Sequence, residues 1–177
     1  MRTDITPLAA NSTAWTSREV AMRLVRAGLL TALIDGLFSS VLSVAFYDST
    51  VARLFQSVAA TLLGPSALDG GAGTMLVGML MHLGVAFGWS TVFLVLVLIS
   101  RPLQSQLARP YGSLRVAAVY GPLVWMVMSL VIIPFLLRRP PSFTVRWWVQ
   151  FVGHAPFVGL PIVASISAGM RPHPRAA

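Results

Sequence analysis

The chain has 177 residues, of which 56% are hydrophobic and only 10% charged, with a formal net charge of +8. A soluble domain carries about a quarter charged residues, so this composition excludes an ordinary water-facing surface and points to lipid as the solvent. All basic residues are arginine, placed at the ends of apolar runs and never inside them, which reads as membrane topology signalling and excludes a nucleic-acid surface.

Residues 1 to 16 are small and polar and read as an N-terminal tail. Thr16-Ser17-Arg18-Glu19 has the form of a capping box, in which threonine covers a free N–H and glutamate reaches back. The helix it starts carries Arg18, Arg23 and Arg26, then an apolar stretch at about 27–47 interrupted by a single charge, Asp35. About 20 residues suffice to cross the hydrocarbon core. Arginines, an apolar run and Ser43-Val44-Ala45 also outline a signal peptide, but the run is long for one and carries an aspartate. The segment is therefore read as a retained span.

Thr50 is placed to cap a short helix at about 51–63. There Val51, Leu54, Phe55, Val58 and Leu62 share one face, with Arg53, Gln56 and Ser57 off it. That spacing predicts an amphipathic helix lying in the membrane interface. Gly64-Pro65 ends it, and a glycine-rich loop follows. Three more spans are predicted at about 74–99, 116–137 and 147–170, joined by arginine- and proline-rich connections and followed by a basic tail at 171–177 with a solvated His173.

The expected fold is all-α, a four-helix membrane bundle over residues 17–170 with one interfacial helix. The N-terminal flank, the central connection and the C-terminal tail hold Arg2, Arg18, Arg23, Arg26, Arg101, Arg109, Arg115, Arg171 and Arg175. The opposite connections hold Arg53, Arg138, Arg139 and Arg146. The positive-inside rule places the richer side, with both termini, in the cytoplasm.

Ionisable groups at bilayer depth are costly and usually face the interior. Three occur here: Asp35, His82 and His154. Gly28, Thr31, Asp35, Ser39 and Ser43 form a small polar stripe on the first span. Gly78, His82, Val85 and Trp89 share a face of the second, with Gly84-xxx-Gly88 nearly opposite, a spacing that permits close helix contact. Trp147, Gln150, His154 and Pro161 lie on one side of the fourth, where Pro156 and Pro161 free the carbonyls of Val152 and Phe157 and predict a kink. Counted from the outer end of each helix, the histidines sit about 10 to 12 Å deep and Asp35 about 18 Å, so all three are expected in one layer. The Gly78-xxx-His82 and Gln150-xxx-His154 spacings also hint at a duplication.

Two classes of function follow. In the first the protein is a non-enzymatic accessory or packing component, its polar residues holding helices together among lipid, other membrane subunits or copies of itself. In the second, Asp35, His82 and His154 form an intramembrane site for haem b, a metal ion, a quinone or a small substrate, or a proton relay. Two imidazoles at one depth suit axial or metal ligation, and Gly78, Gly84, Gly153 and Gly159 offer room for a macrocycle. No GxSxG, HExxH, Walker or GxGxxG motif is present, and the absence of cysteine excludes thiol chemistry.

Met81-His82, Tyr120-Gly121, Met128 through Pro134, and Gly153-His154 with Gly159 and Pro161 resemble a group of small uncharacterised bacterial inner-membrane proteins of about four helices. The resemblance spans about 75–165. It implies the fold and a bacterial inner (cytoplasmic) membrane location, marks His82 and His154 as signature positions, and brings no activity with it.

Overall fold

The computed structural model describes residues 15–138 and 140–170. The tail expected at 171–177 with its His173, all of the N-terminal tail before Trp15, and Arg139 lie outside the described residues. Among the described residues the structure is helical, without strands. Four helices are long and apolar enough to cross a membrane: Ser17–Phe46 (α1), Gly71–Ile99 (α3), Gly112–Leu137 (α5) and Val145–Ser167 (α6). Two shorter helices, Val51–Leu63 (α2) and Arg101–Leu107 (α4), stand between them.

Local chemistry sets most boundaries. The capping box at Thr16 forms as the spacing predicts, with Glu19 accepting from the Thr16 backbone N–H at 2.8 Å. Thr50 caps α2 through Arg53 N–H at 3.1 Å, and Thr144 caps α6 through Trp147 N–H at 3.3 Å. Gly64 ends α2 at φ 82°, where a side chain would be strained. The helices begin several residues before the apolar runs do, because their caps reach into the polar flanks. The fourth ends earlier than the apolar run suggests, since Ala168 leaves helical geometry at ψ 127° and Gly169 takes φ +80°.

Two further details differ from the sequence expectation. The connection after α3 contains α4, whose Ser100 cap accepts from Leu103 N–H at 3.3 Å and whose Leu107 is buried. And Gln56, expected on the polar side of α2, is buried beside Phe55 and Ala59. Its amide donates to the Gly71 carbonyl at 3.0 Å, satisfying an atom whose burial would otherwise be unfavourable.

Both later long helices widen where proline removes a donor. In α5 the turn Met128–Ile132 is π-helical, and Ile133 N–H donates to Met128 O just before Pro134. In α6 the π-turn is Ala155–Gly159 around Pro156; Ala155 N–H serves the Val152 carbonyl that the proline cannot reach.

Packing brings α1 against α3 and α6, α2 against α3, and α5 against α6. The α5–α6 contact is close enough to require glycine. A Cβ on Gly121 would overlap the His154 carbonyl, and one on Gly159 would overlap the Ala117 carbonyl. Gly78 is likewise filled by the Phe55 carbonyl of α2. Gly84 and Gly88, whose spacing suggested contact, face open space instead. Arg23 of α1 binds the far end of α6, donating to the carbonyls of Ile166 and Ala168 at 2.5 and 2.6 Å while stacking on Trp15. These are carbonyls that a helix C-terminus leaves without partners. The opposite face of α1 is a row of exposed apolar side chains, among them Leu29, Leu33, Leu37 and Val41.

Candidate functional site

The second and third long helices touch through side chains. Tyr120 of α5 donates its hydroxyl to the Trp89 carbonyl of α3 at 2.6 Å, and its ring lies 4.7 Å from that of Phe93. Beyond that contact, towards α2, the space between α3 and α5 opens into a cavity of about 600 Å³. Its mouth is set by residues that both line it and stand exposed: Leu62 of α2, Gly84 and Val85 of α3, Leu136 of α5. Its walls are mostly apolar.

The back wall is polar. Thr31, Asp35 and Ser39, the middle of the α1 stripe, contribute to it, with His82 from α3 and Gln150 and His154 from α6. The three ionisable residues singled out by depth therefore reach one cavity. Each is held differently. His82 Nε2 bonds the Ala32 carbonyl at 3.1 Å across the α1–α3 contact and stands 3.9 Å from Asp35 Oδ2. Gly36 packs beside this ring, where a Cβ would meet His82 Nε2 at an ordinary contact distance of 3.5 Å. His154 bonds the Gln150 carbonyl of its own helix at 2.7 Å, with its ring 4.8 Å from that of Trp125. The different anchoring gives the supposed repeat no structural counterpart at the histidines.

Several polar atoms around this wall have no partner. Thr31 Oγ1, Asp35 Oδ1, Gln150 Oε1 and Trp125 Nε1 are buried without a hydrogen bond among the described residues. All four residues line the cavity. Leaving such a group unsatisfied costs about 1–3 kcal/mol, and all four atoms lie beneath the wall rather than on its accessible surface. By contrast, Trp147 Nε1, one turn before Gln150, is satisfied by Ser129 Oγ at 3.0 Å.

Among the described residues, no group of three His, Cys, Asp or Glu is close enough to hold a metal ion. The room read from glycines for a macrocycle is largely occupied by protein: Gly78 by the α2 backbone, Gly153 by the Phe38 ring, Gly159 by the α5 backbone. Only Gly84 of those four faces open space.

Trp125 is the site residue that the spacing analysis passed over. Tryptophan favours the membrane–water interfaces, and one in the middle of a 26-residue helix was the available signal. Arg146, counted only for topology, lines the cavity at the start of α6 and stacks on Tyr47 at 4.6 Å.

No protein-family model, curated protein or solved structure matches the chain. The site is thus read from its own geometry.

Proposed function

We propose that the protein is a multi-pass protein of the bacterial inner membrane whose α3–α5 cavity binds a small, largely apolar molecule with a polar end, loaded sideways from the bilayer. The observation that carries this is the polar patch of Asp35, His82, Gln150 and His154 on one wall of an otherwise apolar cavity. A few placed polar groups in a mainly apolar pocket of about 300–1,000 Å³ is the usual make-up of a small-molecule site. A protein whose polar residues served packing alone would gain by satisfying them, as it does at Trp147 and Ser129.

In this reading the four long helices form a membrane bundle belonging to the group the chain resembles. The α2 helix lies in the outer interface and roofs the cavity, and both termini are cytoplasmic. The arginine distribution supports that orientation, and the apolar face of α1 supports contact with lipid. The function is binding or carriage rather than catalysis. The cavity walls hold one carboxylate and two histidines, but no activated nucleophile is paired with a base.

A plug tests it. A Cβ on Gly84 meets nothing within 4 Å, so Gly84→Leu starts its side chain in open space at the mouth. Wild-type protein purified in mild detergent, extracted with organic solvent and analysed by mass spectrometry, should release about one equivalent of a small molecule. The plugged variant should release far less at equal thermal stability. Equal content in both would leave the cavity a packing defect.

A further inference from the structure

We propose that the polar end of the bound molecule is a hydrogen-bond donor, a hydroxyl or an amine, and not a carboxylate or a bare carbonyl. This rests on the cavity being a binding site and adds the chemical class of what it takes.

The argument begins with the two imidazoles. A main-chain carbonyl can only accept, so the ring nitrogen facing it must carry the proton. For His82 that nitrogen is Nε2, against Ala32 O. For His154 it is Nδ1, against Gln150 O. In a neutral imidazole the other nitrogen is then an acceptor, which assigns acceptors to His82 Nδ1 and His154 Nε2. Neither has a protein hydrogen bond among the described residues, and both rings line the cavity.

Asp35 Oδ1 and Gln150 Oε1 are also unpartnered, but both lie beneath the surface a bound molecule would touch. The wall thus offers two ring acceptors, from two different helices. The Gln150 amide nitrogen, which only donates, has no hydrogen bond among the described residues and stands on the same wall. An incoming hydroxyl or amine satisfies the imidazoles by giving N–H or O–H bonds, and its own lone pair can accept from Gln150. A bare carbonyl has no such bond to give, and a carboxylate would face Asp35.

Arg146 opposes this choice. Its guanidinium only donates, it lines the cavity, and it would draw an anionic head. It stands at the start of α6, however, two helical turns before His154, and its face is already engaged by the Tyr47 ring. The acceptor wall and the arginine therefore make opposite predictions.

Four probes of equal chain length separate them: dodecan-1-ol, dodecylamine, dodecanoate and dodecane. Each is titrated at matched mole fraction into full-length protein in lipid nanodiscs, and thermal unfolding is followed by tryptophan emission. Gly84→Leu, with Val85→Phe as a second plug, is run beside the wild type to subtract effects on the bilayer itself. The expected result is a saturable rise in the midpoint with the alcohol or the amine, absent from the plugged variants, and little with the acid or the alkane. Whichever of the two works at lower mole fraction identifies the source as hydroxyl or amine. His154→Phe, which keeps a ring but removes the acceptor, should then raise the half-saturating mole fraction at least about tenfold, since a bond of about 1.4 kcal/mol corresponds to that factor.

Dodecanoate matching or exceeding the others would overturn the donor assignment in favour of Arg146. Dodecane matching them would show that the head is not read at all. In both cases the plug would still abolish the shift and the cavity would remain a binding site. No shift that the plugs remove, with any probe, would overturn the reading of the cavity itself.

Discussion

Adding one methyl group at Gly121 should destabilise the protein, whereas adding one at Gly84 should not. A Cβ on Gly121 falls on the His154 carbonyl oxygen and within 2.9 Å of the Ala155 Cα. Those atoms are backbone of α6, so no rotamer change relieves the overlap and the two helices must move apart. Overpacking of this kind costs about 1–3 kcal/mol, and more where backbone must shift. Gly121→Ala should therefore lower the folding equilibrium constant in an SDS-titration unfolding assay by about tenfold or more, at 1.4 kcal/mol per factor of ten. Movement of α6 also carries His154 away from Trp125, whose rings are now 4.8 Å apart, so the tryptophan emission of the folded protein should change as well. Gly84→Ala and Gly88→Ala meet nothing within 4 Å and should lie within about 0.5 kcal/mol of wild type, as isolated surface changes do. Gly121→Ala as stable as wild type, with Gly84→Ala impaired, would refute this assignment of helix contacts.

Three more outcomes follow from the same structure. Arg23→Met removes two charge-assisted bonds to the end of α6 and should cost about 1–3 kcal/mol, read as a lower unfolding midpoint in detergent. Gln150→Leu replaces a buried, unpartnered acceptor by an apolar group of similar shape. In delipidated protein it should be neutral or stabilising by up to about 1 kcal/mol, read as an equal or higher unfolding midpoint. A green fluorescent protein fused after residue 177 should fluoresce in a bacterial host, and a periplasmic alkaline phosphatase fused there should stay inactive; the reverse pattern would invert the proposed orientation.

What depended on neighbours in the chain was legible in the sequence. The Thr16 capping box, the Thr50 cap and the Gly64 stop are set within three or four residues, and the four apolar runs are long enough to speak for themselves. The inward face of α1 was legible too, because its polar stripe leaves no alternative way to bury Thr31 and Asp35. What depended on another helix was not. Nothing local distinguishes Gly84, which meets open space, from Gly121, which meets the backbone of α6. Gln56 looked like a surface residue because its partner, the Gly71 carbonyl, lies beyond a turn. The π-turn at Pro156 was foreseeable as a disturbance, but not as the wider helix that resolves it, and the one before Pro134 was passed over. For the site, spacing brought Asp35, His82 and His154 to one depth. It could not show that α3 and α5 part above Tyr120, and it is that parting which turns three costly residues into the wall of a cavity.

The most direct test of the central claim is an experimental density map of the protein purified without delipidation, examined between α3 and α5. The account predicts elongated non-protein density entering past Gly84 and Leu136, with one end within hydrogen-bond distance of Asp35, Gln150 or His154. A cavity closed by the protein's own side chains, with those polar atoms bonded to each other, would contradict it.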